Sequence, residues 1–428
     1  MGQGVLIDSR FADAGLSRNG GTLHLGGVPL AAIAAQVGTP VYVYNAEAIR
    51  ERYRALDGAL GPLPHRICYA VKANSTLAVL RVLRDLGAGA DIVSGGEMAR
   101  ALAAGFAPER IVFSGVGKAT GELRQAVRAR LGHLNVESVE ELQRLARIAD
   151  EERADVAVGI RVNPDVTTDT HPYISTGKSG IKFGVPLDQV PAAAALIAAH
   201  PRLRLATLAM HLGSQLSDTE PFRQGIGQLL GLANALQSEG RHRIAVIDIG
   251  GGLAIRYGNE TAMDPQRFAE AVVPLLAGTG YTVYVEPGRF LVGSAGLLLT
   301  QVLYRKHSGG KEFVVVDAGM NDLVRPSHYQ AYHEIVALDG RERSHIRADV
   351  VGPVCETGDF LALDRPLPDV AAGEYLAVLG AGAYGFVMAS NYNARPRPAE
   401  VIVDGDRWWV ARPRELVEDL YRRERVSP

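Results

Sequence analysis

The chain predicts an α/β fold: a (β/α)₈ barrel of the TIM type plus a C-terminal antiparallel β domain, which the N-terminal strands join. Three observations carry this. Eight short apolar runs alternate with amphipathic stretches between residues 66 and 286. A polar residue or glycine closes every run. Beyond Arg289 the alternation stops, and strand-like segments follow one another between Gly and Pro turns.

The eight runs are Arg66–Val71, Ala90–Val93, Arg110–Phe113, His133–Val136, Asp155–Val162, Leu203–His211, Ile244–Ile249 and Thr282–Glu286. Short runs rich in β-branched residues read as buried strands. Leu77, Leu80, Val82, Leu83, Leu86 and Leu142, Leu145, Ile148 recur at three- and four-residue spacing, the mark of helices between them. Strand, helix, strand with short links implies parallel strands and right-handed crossovers, and eight such units make a closed barrel. A doubly wound open sheet competes, but no early Gly-x-Gly-x-x-Gly turn supports it.

Upstream, turn signals at Asn19-Gly20-Gly21 and Gly26-Gly27 bracket a strand or two, then a short helix near Leu30 to Val37. Downstream, strands are expected at Gly296–Tyr304, Glu312–Asp317, Glu334–Ala337, Arg347–Val351, Tyr375–Val378, Glu400–Val403 and Trp408–Ala411. This places a barrel at 39–290 and a β domain formed by 1–38 with 291–428.

Bulk properties narrow the function classes. Of 428 residues, 47% are hydrophobic and 21% charged, an ordinary globular mix. A net charge of -2 offers no basis for nucleic-acid or membrane partners. Two distant cysteines form no disulfide framework, no Cys/His cluster has zinc-ligand spacing, and no metal is expected. No signal peptide and no apolar run long enough for a membrane helix is seen; the cysteine usage fits a reducing cytoplasm.

Chemistry in such barrels sits where strands end. Lys72 follows the first run. Its ammonium must reach water, find a counter-charge or lose its proton, and a neutral amine there attacks aldehydes. His211 closes the sixth run, ahead of Gly213 and Ser214. Gly250, Gly251 and Gly252 close the seventh and, with Gly288 after the eighth, suit a phosphate, because no Cβ blocks backbone N–H groups. Glu286 ends an apolar run, where a lone carboxylate is costly. Its partner is either Arg289 or a protonated pyridine nitrogen. Amine, phosphate cradle, carboxylate and imidazole together describe a site for pyridoxal 5′-phosphate.

These residues lie in motifs that run almost the whole chain: Gly38-Thr-Pro-Val-Tyr-Val-Tyr44, Tyr69-Ala-Val-Lys-Ala-Asn74, Ser94-Gly-Gly-Glu97, His171-Pro-Tyr-Ile-Ser-Thr-Gly177, His211-x-Gly-Ser-Gln215, Gly250-Gly-Gly252, Glu286-Pro-Gly-Arg289, Gly352-Pro-Val-Cys-Glu356 and Gly382-Ala-Tyr-Gly385. In them the sequence resembles the diaminopimelate decarboxylases, of the alanine-racemase-like (fold-type III) pyridoxal-phosphate enzymes. The resemblance implies a carboxy-lyase that converts meso-2,6-diaminopimelate to L-lysine and CO₂, the last step of lysine biosynthesis.

It also implies roles. Lys72 holds the cofactor covalently, His211 stacks on its ring and Glu286 pairs its nitrogen. Ser214, Gly250 to Gly252, Pro287, Gly288, Arg289 and Tyr384 surround the phosphate. Arg289, Arg325 and Tyr329 grip the distal carboxylate of the substrate, Glu356 takes its distal amine, and Tyr384 also contacts the substrate. Cys355 donates the proton across a homodimer interface. The His171–Phe183 segment covers the site. Ser327-His328 and the Leu253-Ala254 pair depart from the usual family pattern. The rival readings are a related decarboxylase acting on ornithine, lysine, arginine or a carrier-bound amino acid, and a non-catalytic cofactor-binding regulator.

Overall fold

The computed structural model describes residues 14–167, 177 and 180–426. The chain divides into two compact units, one of Arg52–Ile255 with Thr261–Phe290, the other of the residues up to Glu51, Arg256–Glu260 and those from Leu291 on.

The first unit is a closed barrel of eight parallel strands: His65–Ala70, Gly89–Ile92, Ile111–Phe113, His133–Val136, Val156–Asn163, Leu203–Ala209, Val246–Asp248 and Thr282–Val285. They pair in chain order, and the eighth pairs with the first through Val283–His65 and its neighbours. Helices connect them, their apolar stripes turned inward. Leu80 and Leu83 of Leu77–Asp85, and Leu142, Leu145 and Ile148 of Val139–Glu152, are buried. Leu77 is exposed. Two Ser-x-x-Glu boxes start helices at the site end. Ser94 Oγ accepts the Glu97 N–H while Glu97 Oε2 accepts that of Val93, and Ser138 and Glu141 do the same. Each box satisfies helix N–H groups that would otherwise lack partners.

The second unit is mostly sheet. Its nine-stranded sheet contains every downstream strand expected, and one more, Phe360–Pro368. Pro366 and Pro368 hid that strand, because proline cannot donate to a ladder. The strand lies at an edge of the sheet, where a missing N–H costs nothing. Most pairings are antiparallel. Two are parallel: Lys311–Val316 with His345–Val351, and Ala399–Asp404 with Val41–Asn45.

Val41–Asn45 corrects the expected boundary at 39. Every residue of this strand is buried, and it pairs with Gly296–Ser308 and Ala399–Asp404 in the β unit. An apolar run buried on both faces does not reveal which sheet it enters. Leu16–Asn19, Thr22–Leu25 and Val28–Pro29 form a three-stranded sheet ahead of the helix Leu30–Val37. Leu23, Leu25, Leu30 and Ile33 share a core with Leu297, Leu299, Ala377 and Val401 of the same unit.

Candidate active site

Within the barrel unit, a cavity of about 400 Å³ opens among Lys72, His211, Glu286, Arg161, Ser114 and Phe183. Lys72 lies in a single turn of 3₁₀ helix, Val71–Ala73, directly after the first strand. Of its three options the ammonium has taken a counter-charge: Nζ donates to Asp91 Oδ2 at 2.7 Å. Asp91 is wholly buried inside the second strand. Nearby, burial pushes Glu97 up to about 7, against the pull of the Val93 N–H and the Lys72 charge.

Opposite stand Asp248 and Glu286, which share a hydrogen bond. Burial raises Asp248 to about 6 and Glu286 well above the usual carboxylate range; for Glu286 the Asp248 and Asp91 charges add to this, and Lys72 opposes it. Among the described residues, Glu286 Oε1 and Asp248 Oδ2 are buried without a hydrogen-bond partner. Arg289, the alternative partner for Glu286, instead donates through Nε and Nη2 to Ser214 Oγ at 3.2 and 3.1 Å. Three buried carboxylates here face Lys72 and Arg161, and Arg161 is itself engaged by Glu137 at 2.9 Å. Burial and the neighbouring acids disfavour the charged form of Glu286, and a cation beside it would restore that form.

His211 is held neutral. Burial first, then the charges of Lys72 and Arg161, drive its protonation well below the ordinary histidine range. Its Nδ1 accepts the Gly251 N–H at 3.2 Å, so the ring proton sits on Nε2. The Gly250 N–H goes to Asp248 Oδ1 at 2.9 Å. Two of the three glycine amides are thus spent on the turn itself.

The turn needs glycine for space as much as for conformation. A Cβ on Gly251 would collide with the Glu286 carbonyl, and one on Gly252, at φ +103°, with the Gly213 carbonyl. Gly288 packs against Ala73 and Ala70. Gln215 holds a left-handed φ of 63° and offsets that cost with two bonds to Ile255, of 3.1 and 2.9 Å. Gly251→Ala is expected to destabilise the fold by ~1–3 kcal/mol, the usual cost of overpacking, and to weaken cofactor retention. Urea unfolding of the cofactor-free protein checks the first part, and an unshifted midpoint would show that the turn relaxes freely.

The second unit holds the other candidates. Arg325 is buried; its Nη1 donates to the Tyr257 hydroxyl at 2.6 Å and its guanidinium lies 4.7 Å over that ring. Tyr329 meets His328 edge-on. Cys355 and Glu356 sit on an exposed turn, where the Cys355 N–H donates to Asn393 Oδ1 at 2.8 Å. The Tyr392 hydroxyl bonds Glu356, which pushes the pKa of that phenol up. Tyr384 holds a left-handed φ of 56°. In the covering segment, residues 171–176 and 178–179 lie outside the described residues.

Asp91 and Asp248 escape the sequence reading as site residues. A signal exists: each is a lone acid inside an apolar run, Ala90-Asp91-Ile92 and Ile247-Asp248-Ile249. A carboxylate in a strand buried on both faces must have a partner.

These residues fit a flat cationic ring bearing a phosphate. The partnerless Glu286 oxygen suits a ring N–H, and the Ser214 hydroxyl with the Arg289 guanidinium suits a phosphate. Residues 46–293 match the family model described as pyridoxal-dependent decarboxylase, pyridoxal binding domain. The chain belongs to the pyridoxal-dependent decarboxylases, and pyridoxal phosphate is its cofactor. Within that family it is similar to the diaminopimelate decarboxylase of Pseudomonas aeruginosa, 49% identical over 405 residues, which cover 94% of this chain and 96% of the relative. It is also similar to the structure of diaminopimelate decarboxylase from Helicobacter pylori complexed with L-lysine, at 40% identity and a TM-score of 0.88, covering 92% of this chain and 98% of that one. The enzyme from M. jannaschii in co-complex with L-lysine matches at 33% identity and a TM-score of 0.91, over 96% and 98%.

Proposed function

We propose that the chain is a carboxy-lyase that decarboxylates meso-2,6-diaminopimelate to L-lysine and CO₂, the last step of lysine biosynthesis. One observation carries the proposal: a primary amine, Lys72, and a buried carboxylate with one oxygen lacking a hydrogen-bond partner, Glu286, face one cavity, in a chain 49% identical to a diaminopimelate decarboxylase.

Bound pyridoxal phosphate supplies an electron sink joined to the substrate α-carbon. The protein does the rest. Lys72 binds the cofactor aldehyde through Nζ, with Asp91 holding that nitrogen until it reacts. Glu286 keeps the ring nitrogen protonated, and neutral His211 covers a ring face without adding charge. Ser214, the Gly250–Gly252 turn, Pro287, Gly288, Arg289 and Tyr384 bind the phosphate.

Orientation decides which α-bond breaks, and gripping the far end of the substrate fixes that orientation. Arg289, Arg325 and Tyr329 take the distal carboxylate, for which the planar guanidinium fork is suited. Glu356 takes the distal amine. Two arginines with one acid match a head carrying both charges; a bare distal amine would want acids alone. Cys355 then passes its Sγ proton to the α-carbon.

Cys355 and Glu356 act in the site of a second copy, so the working form is a homodimer. Their exposure in the single chain supports this. Mixing Lys72→Ala with Cys355→Ala protein is expected to restore activity that neither has alone, and a silent mixture would count against shared sites. Among the described residues no helix is long and apolar enough to cross a membrane. We place the enzyme in the cytoplasm.

The deciding experiment measures CO₂ release from diaminopimelate, lysine, ornithine and arginine. Release from diaminopimelate is expected, and release only from another member of the panel would overturn the substrate. Arg325→Ala is expected to raise KM for diaminopimelate on the order of 100-fold with little change in cofactor affinity, since it removes one side of a buried charge contact. Equal losses of cofactor and substrate would remove Arg325 from the grip.

A further inference from the structure

The Arg325–Tyr329 helix contains Ser327, one of the two residues that depart from the family pattern at this point. Its side chain does not fold back onto its own helix, as helical serines often do. Instead Ser327 Oγ donates to the Gly358 carbonyl at 2.5 Å, across 31 positions of sequence and within the same unit.

Gly358 closes the turn that carries Cys355 and Glu356. The upstream limb of that turn is well fixed. Asp359 Oδ2 accepts the Val354 N–H and Oδ1 the Met320 N–H, each at 2.6 Å, and the Glu356 N–H returns to the Val354 carbonyl at 2.8 Å. The apex, Cys355 to Thr357, is exposed. The downstream limb turns at a glycine, whose backbone is freer than any other residue's. Its carbonyl is held by the Phe360 N–H at 3.0 Å and by Ser327.

We infer that Ser327 is a positioning residue: its hydroxyl clamps the Cys355–Glu356 turn to the helix that bears Arg325 and Tyr329. Given the roles proposed above, on which this inference rests, the clamp joins two functional segments of one chain. The helix grips a substrate carboxylate in that chain's own site. The turn presents a proton donor and an amine partner to the other copy's site. The bond therefore ties the geometry of one site to that of the next.

Full-length wild type, Ser327→Ala and Ser327→Thr test this in two ways. Hydrogen exchange of the 354–358 amides, without and with cofactor, is expected to quicken about five-fold in Ser327→Ala, the factor one ordinary hydrogen bond is worth. Ser327→Thr, which keeps the hydroxyl, should return it to the wild-type rate. In diaminopimelate turnover, Ser327→Ala should lower kcat by a similar factor, through Cys355, and raise KM by no more than that factor, through Glu356, because Arg325 is intact. Unchanged exchange in the turn, or Ala and Thr variants that behave alike, would overturn the clamp. Failure of the substrate assignment shows up separately, as wild type that releases no CO₂ from diaminopimelate while exchange in the turn still distinguishes the alanine variant from the threonine one.

Discussion

Replacing Lys72 by alanine is expected to remove turnover and covalently held cofactor together, with a rate loss of at least about 10³-fold, the scale on which groups at the reacting atoms are felt. The physical basis is the pairing of Nζ with Asp91 at 2.7 Å. That contact keeps a primary amine at the cavity wall, where an aldehyde can reach it. Two other lysines bound the alternatives. Lys118 is buried with its three donors committed to the Gly115 and Asn135 carbonyls and Glu141 Oε1. Lys182 lines the cavity but is exposed. Borohydride reduction and peptide mapping of the wild type should place the label on Lys72. Lys72→Arg sharpens the test: it keeps a positive charge beside Asp91 but offers no nucleophilic amine. It should be as inactive as the alanine variant. Label on Lys182, or substantial activity in Lys72→Arg, would break the assignment.

The barrel can be read from the sequence for a simple reason. Parallel strands under helices are buried on both faces, so each appears as an unbroken apolar run. The eight expected runs correspond to the eight strands, with ends differing by a residue or two. What such runs do not encode is the choice of neighbour. Val41–Asn45 looks like a barrel strand by composition, yet pairs with two strands from the distant C-terminal half. Phe360–Pro368 fails differently: local proline chemistry argues against a strand, and only its edge position makes the prolines harmless.

In the site, residues at strand ends are legible and residues within strands are not. Lys72, His211, Glu286 and Gly250–Gly252 interrupt an apolar pattern at its boundary, where loops begin. Asp91 and Asp248 sit inside the runs and are absorbed into them. Yet these two set the electrostatics, one by holding the amine and the other by sharing a hydrogen bond with Glu286. The glycine turn shows the same limit. Three consecutive glycines announce close backbone approach, but not that two of the three amides are already taken by His211 and Asp248.

Cys355→Ala is expected to leave cofactor binding intact and to lower kcat by about 10²–10⁴-fold, the range for loss of a positioned general acid. The turn should survive the change. Its fixed points are backbone groups: the Cys355 N–H on Asn393 Oδ1 and the Val354 N–H on Asp359. Alanine preserves both. What disappears is the Sγ proton. The contrast with Cys68 makes the experiment specific. That thiol is fully buried in the barrel among Val112, Val246 and Tyr284, and burial pushes its ionisation far above the ordinary thiol range. Cys68→Ala should therefore cost stability through a small cavity and leave kcat alone. Cys355→Ser should remain slow, because a hydroxyl is a far weaker acid than a thiol. Turnover in Cys355→Ala equal to wild type would mean that the proton comes from another group, and that the exposed turn serves only to seat the substrate amine through Glu356.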